Sequence, residues 1–139
     1  MTQRTLTIVK PDSVEKGNTG NIIAHLEREG FCVLAGRMMH LTEAQARAFY
    51  AVHKERPFYN DLVTYMTSGP VWPLALERED AVPHLRQVMG ATNPADADAG
   101  TIRALYGESI ERNAIHGSDS PENAAIEVNF FFSASELAE

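Results

Sequence analysis

Thr5-Leu6-Thr7-Ile8-Val9-Lys10-Pro11-Asp12 is the stretch from which the fold builds outward. Its first four residues alternate hydroxyl and aliphatic side chains, the period of a strand, and β-branched Val9 extends it. Pro11 has no N–H to give to a ladder, so regular pairing ends there and Lys10 is left at the strand's C-terminal edge. Downstream, Ile22, Ile23 and Leu26 fall on one stripe of a helix over residues 20–29, and Gly30 supplies its stop. Residues 31–41 read as a long second strand. Thr42, with Gln45 three residues on, makes a capping box for a helix carrying Ala46, Phe49, Tyr50 and His53 on one face. Phe58, Leu62, Tyr65 and Met66, spaced i, i+4, i+7, i+8, line one side of a short helix over residues 57–67. Ser68-Gly69-Pro70 breaks it, and residues 71–76 form a third strand, in which Pro73 requires a late start or a bulge. Ala81, Leu85, Val88 and Met89 mark another helix. Residues 90–112 keep no period and read as a long ordered loop, a length that in a compact domain goes with function or disorder. Ala114-Ile115 is a short strand, and Ser120-Pro121 opens a last helix with the stripe Ala124, Val128, Phe131 and Phe132. This order predicts an α/β (α+β) sandwich, a small sheet with helices packed over it.

At 139 residues, with 44% hydrophobic and 22% charged, the chain suits one domain, residues 1–139, with a proper core. No run of about 18 apolar residues is present to span a membrane. The start Met1-Thr2-Gln3-Arg4 lacks the pattern of a secretory signal, so the expected location is cytoplasmic. A net charge of −7 opposes specific binding of nucleic acid but allows a small phosphate ligand in a local basic pocket. The single cysteine, Cys32, excludes an internal disulfide and a cysteine zinc site, and its apolar surroundings predict a buried structural thiol.

Neither G-x-x-x-x-G-K-[ST] nor G-x-G-x-x-G is present, and H-E-x-x-H is absent. Phosphate chemistry would therefore use side chains gathered from separate segments. Asn113-Ala114-Ile115-His116-Gly117-Ser118-Asp119-Ser120 puts a histidine at a strand end, beside two hydroxyls and just before a helix. An imidazole held still with one free nitrogen is a competent nucleophile. Ser118 is near enough to orient it, and Glu127 lies on the apolar stripe, where a carboxylate needs a partner. The same residues also fit a capped His-Gly turn with a solvated glutamate. Phe58 and Leu62 form either an apolar wall for a ligand or ordinary core. His25 reads as a surface helix residue, and His40, His53 and His84 lack a second ligand at zinc spacing.

Asn113-x-x-His116-Gly117-Ser118-Asp119-Ser120, Val9 to Asp12, Ser68 to Pro70, Gly90 to Asp96 and Gly100 to Arg103 together resemble the nucleoside diphosphate kinase family, over essentially the whole chain and in the family's order. The resemblance implies a ferredoxin-like βαββαβ fold with a four-stranded antiparallel sheet. It implies ping-pong transfer of the γ-phosphate of a nucleoside triphosphate, mainly ATP, to a nucleoside diphosphate through a phosphohistidine on His116, with broad base and sugar tolerance. Lys10, Arg86 and Arg103 match the family's basic phosphate ligands and Thr92 its phosphate-contacting hydroxyl. Asn113 matches the residue that meets the sugar 3′-hydroxyl, Tyr50 an aromatic that positions the lysine, and Ser118 with Glu127 the pair that fixes the catalytic ring. Phe58, with Leu62 beside it and Ile110 opposite, matches the nucleobase site, where a π-face contact accepts every base. Mg²⁺ is implied, held by the nucleotide phosphates with no protein side chain as ligand. A homo-oligomer is implied too, a dimer or tetramer given the short tail after Ser133. Trp72-Pro73 departs from the family's usual aliphatic pair. A non-catalytic nucleotide-binding or regulatory module of the same fold is the alternative, but it would have no physical reason to keep this dispersed set.

Overall fold

The computed structural model describes residues 2–137; Met1 and the last two residues of the tail, Ala138 and Glu139, lie outside the described residues. Strand β1 spans Thr2–Val9, followed by a short helix α1 (Pro11–Glu15), helix α2 (Thr19–Arg28) and strand β2 (Cys32–Gly36). Helix α3 (Glu43–Phe49) runs through a 3₁₀ turn at Ala51–His53 to α4 (Tyr59–Met66), strand β3 (Trp72–Glu79) and α5 (Ala81–Met89). A 3₁₀ turn at Pro94–Asp96 and helix α6 (Ile102–Tyr106) lead to β4 (Ile115–Gly117), α7 (Pro121–Phe131) and α8 (Ala134–Leu137).

The sheet order is β2-β3-β1-β4 and every pairing is antiparallel, the βαββαβ arrangement expected. Alternation along the strands divides the interior in two. Leu6, Ile8 and Ala75 point to one face, under Ala46, Tyr50, Val63, Met66, Val128 and Phe131 of the helices that follow β2 and β4. Val9, Leu74, Leu76 and Ile115 point to the other, under α2 and α5 through Ile22, Leu26, Leu85 and Met89. Helices thus cover both faces, which is why β1 is buried on each side from Thr5 onward. A large-to-small change at Leu6 or Leu76, each 0% exposed, costs about 2–5 kcal/mol. Among the described residues no helix is long and apolar enough to cross a membrane.

Five expectations are corrected. The second strand stops at Gly36, and a single Arg37 to Pro73 hydrogen bond and an isolated bridge, Met39 to Val71, continue the pairing toward Leu41. Pro73 neither delays nor bulges β3: it pairs with Ile8 in unbroken register, while the register slip lies in β2 between Val33 and Ala35. The Pro73 carbonyl accepts the Arg37 N–H at 3.3 Å, so the side lacking a donor faces the edge where β2 has already ended. Cys32 is exposed because it lies on the edge strand, and Phe31 takes the buried place instead. His25 is half-buried, and residues 90–112 are not all loop, since Thr101 caps α6 through its hydroxyl and the Ala104 N–H.

Candidate active site

β1 and β4 run side by side with Ile8 opposite His116, so the strand that opens the fold carries the histidine's neighbour. The Thr7 hydroxyl donates to the His116 carbonyl at 2.6 Å and fixes that rung. A Cβ at Gly117 would sit 2.8 Å from the thioether end of Met89 of α5, so any side chain there would have to displace that tip. Pairing at this position turns the imidazole toward α3 and α7. Its ring meets Phe49 and Tyr50 edge-on, at centroid distances of 5.5 and 6.2 Å.

The Ser120 hydroxyl caps α7 on the Asn123 N–H, Pro121 fills the first turn, and two turns in Glu127 reaches the histidine. His116 Nε2 lies 2.8 Å from Glu127 Oε1, and the Ser118 hydroxyl donates to the same oxygen at 2.9 Å. An ionised carboxylate only accepts, so it places the ring proton on Nε2. Nδ1 keeps its lone pair and makes no hydrogen bond among the described residues. Ser118 is itself immobilised, fully buried and accepting the Leu6 N–H at 3.3 Å.

A cavity of about 590 Å³ opens in front of the ring. Every residue expected at the site lines it except Ser118, which sits behind the histidine. Lys10 is 8% exposed and its ammonium donates to Asn113 Oδ1 at 2.8 Å; Asn113 in turn donates to the Thr92 carbonyl at 3.0 Å. Arg103 donates to the carbonyls of Gly90, at 3.1 Å, and Ile115, at 2.9 Å. Gly90 has φ +86°, and a Cβ there would meet Thr101 Oγ1 at 2.5 Å, so this approach needs glycine. Arg86 reaches the Gly117 carbonyl at 3.4 Å.

Burial, with the charge of Arg103 beside it, pulls the Lys10 ammonium down from 10.5 to about 8 against a smaller opposing pull from Asp12. Burial and Arg86 likewise pull Arg103 down to about 10. Cations desolvated and crowded in this way are stabilised by an incoming anion, so within a chain of net charge −7 this cleft favours polyanionic ligands of small size. Phe58, 46% exposed, stands at the cleft mouth with its ring 5.4 Å from His53, while Leu62 and the exposed Ile110 also line the cavity. Phe58 thus stands clear of the core, whereas Leu62 is half-buried and also packs against the core cluster under β1.

Tyr50 lines the same cavity as Lys10. No hydrogen bond joins it to Lys10, and its hydroxyl is buried without a partner among the described residues. Among residues the sequence reading did not select, His53, Asp61, Glu111, Asp119 and Asn123 also line the cavity. A hydrogen bond from Asn123, at 2.7 Å, is the main cause holding the Asp119 carboxyl below its usual range. Its place in the histidine motif was the only sequence signal for it. No group of three or more His, Cys, Asp or Glu side chains fit to hold a metal gathers among the described residues.

The model of the nucleoside diphosphate kinase family matches residues 3–137. The chain is 57% identical over 135 residues to a nucleoside diphosphate kinase of Halorhodospira halophila, covering 97% of this chain and 96% of that protein. It is 52% identical to one of Desulfovibrio desulfuricans over the full length of both. In structure it is similar to the Aquifex aeolicus nucleoside diphosphate kinase, with a TM-score of 0.97 and 45% identity over 99% of this chain and 100% of that one. It is also similar to a halophilic nucleoside diphosphate kinase from Halobacterium salinarum in complex with CDP, with a TM-score of 0.94 and 40% identity over 100% of this chain and 93% of that one.

Proposed function

Since the chain belongs to the nucleoside diphosphate kinase family and has that family's activity, we propose that it carries the transferred phosphoryl group on Nδ1 of His116. The observation that supports this reading most is the free Nδ1, facing a cavity walled by Lys10, Arg86 and Arg103 while Nε2 is tied to Glu127.

The nucleotide enters with its base against Phe58, flanked by Leu62 and Ile110, and its phosphates reach inward to Lys10, Arg86, Arg103 and Thr92. Nδ1 attacks the γ-phosphorus in line. The N–P bond forms as the bond to the β–γ bridging oxygen breaks, and that oxygen leaves with the electron pair on the nucleoside diphosphate. The Nε2 proton stays where it is, and the carboxylate of Glu127 balances the positive charge that develops on the ring. The diphosphate departs, a second one takes its place, and its terminal oxygen attacks the same phosphorus and returns the N–P pair to Nδ1. Asn113 meets the sugar, a reading supported by its being held still between Lys10 and the Thr92 carbonyl. Base tolerance follows from a wall that touches faces and not edges.

The cavity fits a nucleotide that brings its own Mg²⁺. With no cage of carboxylates among the described residues, the ion would be held by the nucleotide phosphates, and it supplies neutralisation of phosphate charge when bound. The chain acts as a homo-oligomer, dimer or tetramer, a reading supported by the open edge of β2, which pairs on one side only.

His116→Ala tests the assignment. It removes the nucleophile and no phosphate ligand, so transfer disappears while ADP still binds. Turnover at the wild-type rate in that variant refutes it.

A further inference from the structure

Ala114 has φ +75° although it carries a side chain, and across it the Ile115 N–H donates to the Asn113 carbonyl at 2.9 Å. Positive φ with an i to i+2 hydrogen bond is the rarer, strained form of the γ-turn. A residue other than glycine stays in such a strained conformation only where its surroundings over-determine it. This turn separates Asn113 from His116, so any relaxation of it moves both.

The restraint comes from the loop after β1. The Lys10 N–H donates to the Ala114 carbonyl at 2.9 Å, and Asp12 Oδ2 accepts the Ala114 N–H at 3.1 Å. Both polar groups of the strained residue are thereby held by Lys10 and Asp12, while the Lys10 ammonium holds the Asn113 side chain. Asp12 is 1% exposed, and its other oxygen accepts the Tyr65 hydroxyl of α4, which also takes the Asp12 N–H at 3.1 Å. The Arg112 guanidinium lies over the Tyr65 ring, 5.4 Å from its centroid. Asp12 does not line the cavity, so it acts only through what it holds.

Resting on the phosphohistidine reading above, we infer that Asp12 is a positioning residue: anchored by Tyr65, it locks the strained Ala114 turn and so sets Asn113 against Lys10 and the strand rung that carries His116. The carboxylate is the one group in this arrangement that accepts from both sides.

The test compares the full-length wild type with Asp12→Ala, Asp12→Asn and Tyr65→Phe, measuring kcat and KM with ATP and a nucleoside diphosphate acceptor together with the exchange rate of the Ala114 amide by NMR. Asp12→Ala lowers kcat by about 10–100-fold, the loss that a misplacement on the order of 1 Å produces, with a smaller change in KM. Its Ala114 amide exchanges about tenfold faster or more, as expected for a lost hydrogen bond. Asp12→Asn, whose carbonyl oxygen still accepts the Ala114 N–H, recovers most of kcat. Tyr65→Phe, which leaves that bond but frees the other carboxylate oxygen, falls between, and it serves as the deciding variant if Asp12→Ala does not fold. Unchanged kcat and amide exchange in a folded Asp12→Ala or Tyr65→Phe protein overturn the inference, as does Asp12→Asn performing no better than Asp12→Ala. A wild type that takes no phosphate onto His116 overturns the underlying reading instead, and the amide exchange then still reports on the lock by itself.

Discussion

Glu127→Ala isolates the contact that, in the proposed mechanism, prepares His116 for attack. One oxygen of this carboxylate receives the His116 Nε2–H at 2.8 Å and the Ser118 hydroxyl at 2.9 Å, and the side chain is 18% exposed. A hydrogen bond to a charged group of this kind contributes about 1.5–3 kcal/mol. Its contribution grows as the ring becomes cationic, so the loss falls on the barrier to N–P bond formation. At about 1.4 kcal/mol per decade, phosphorylation of the enzyme slows by about 10–100-fold. The stability effect is smaller, because the Ser118 hydroxyl has the Leu6 carbonyl at 3.4 Å as a second acceptor. Glu127→Gln keeps an accepting oxygen and loses only the charge; as neutral hydrogen bonds have roughly half the strength, its rate falls by less than about tenfold. Rapid-quench measurement of phosphoenzyme formation from labelled ATP reads both variants directly, and ADP titration checks that binding is not weakened. A Glu127→Ala protein that is phosphorylated at the wild-type rate refutes the argument that the carboxylate fixes the tautomer.

Phe58→Ala weakens purine and pyrimidine nucleotides alike, by about 1 kcal/mol, the low end of the stacking range because the ring is already 46% exposed; isothermal titration with ADP, GDP, CDP and UDP checks it, and loss confined to one base contradicts it. Lys10 gives kcat/KM a basic limb: with its ammonium pulled down to about 8, the free enzyme loses this phosphate ligand above that pH, and kcat/KM falls about tenfold per unit until other groups take over. Lys10→Met removes the limb. The same group makes stability rise between pH 8 and 10.5, because in that window the unfolded chain binds a proton that the folded chain does not; a pH series of urea unfolding in wild type and Lys10→Met reads the difference.

The long elements were legible because their periods had room to accumulate. Alternation in Leu6 to Val9 located the central strand, and the Ser120-Pro121 cap located the helix that delivers Glu127. Helices α1, α6 and α8 were missed, for they run five residues or fewer and no apolar stripe develops over so short a span. The sequence runs β2 too long because Met38, Met39 and Leu41 continue its apolar composition, yet the edge position and the register slip release the chain after Gly36. Cys32 was misplaced for the same reason, since alternation does not say which strand is the edge. At the site, the histidine motif and its basic partners stood in the sequence, whereas the role of Asp12 did not: its bond to Ala114 spans 102 positions and goes to a backbone amide, which leaves no mark on residue type.

The central claim, a phosphoryl group held covalently on His116, is tested most directly by mixing the enzyme with terminally labelled ATP and Mg²⁺, isolating the protein and following the label. The account predicts an acid-labile, alkali-stable label that is absent from His116→Ala and discharges onto added UDP or GDP. A wild type that transfers phosphate without ever holding the label, or a label that stays on the protein when a diphosphate is added, contradicts it.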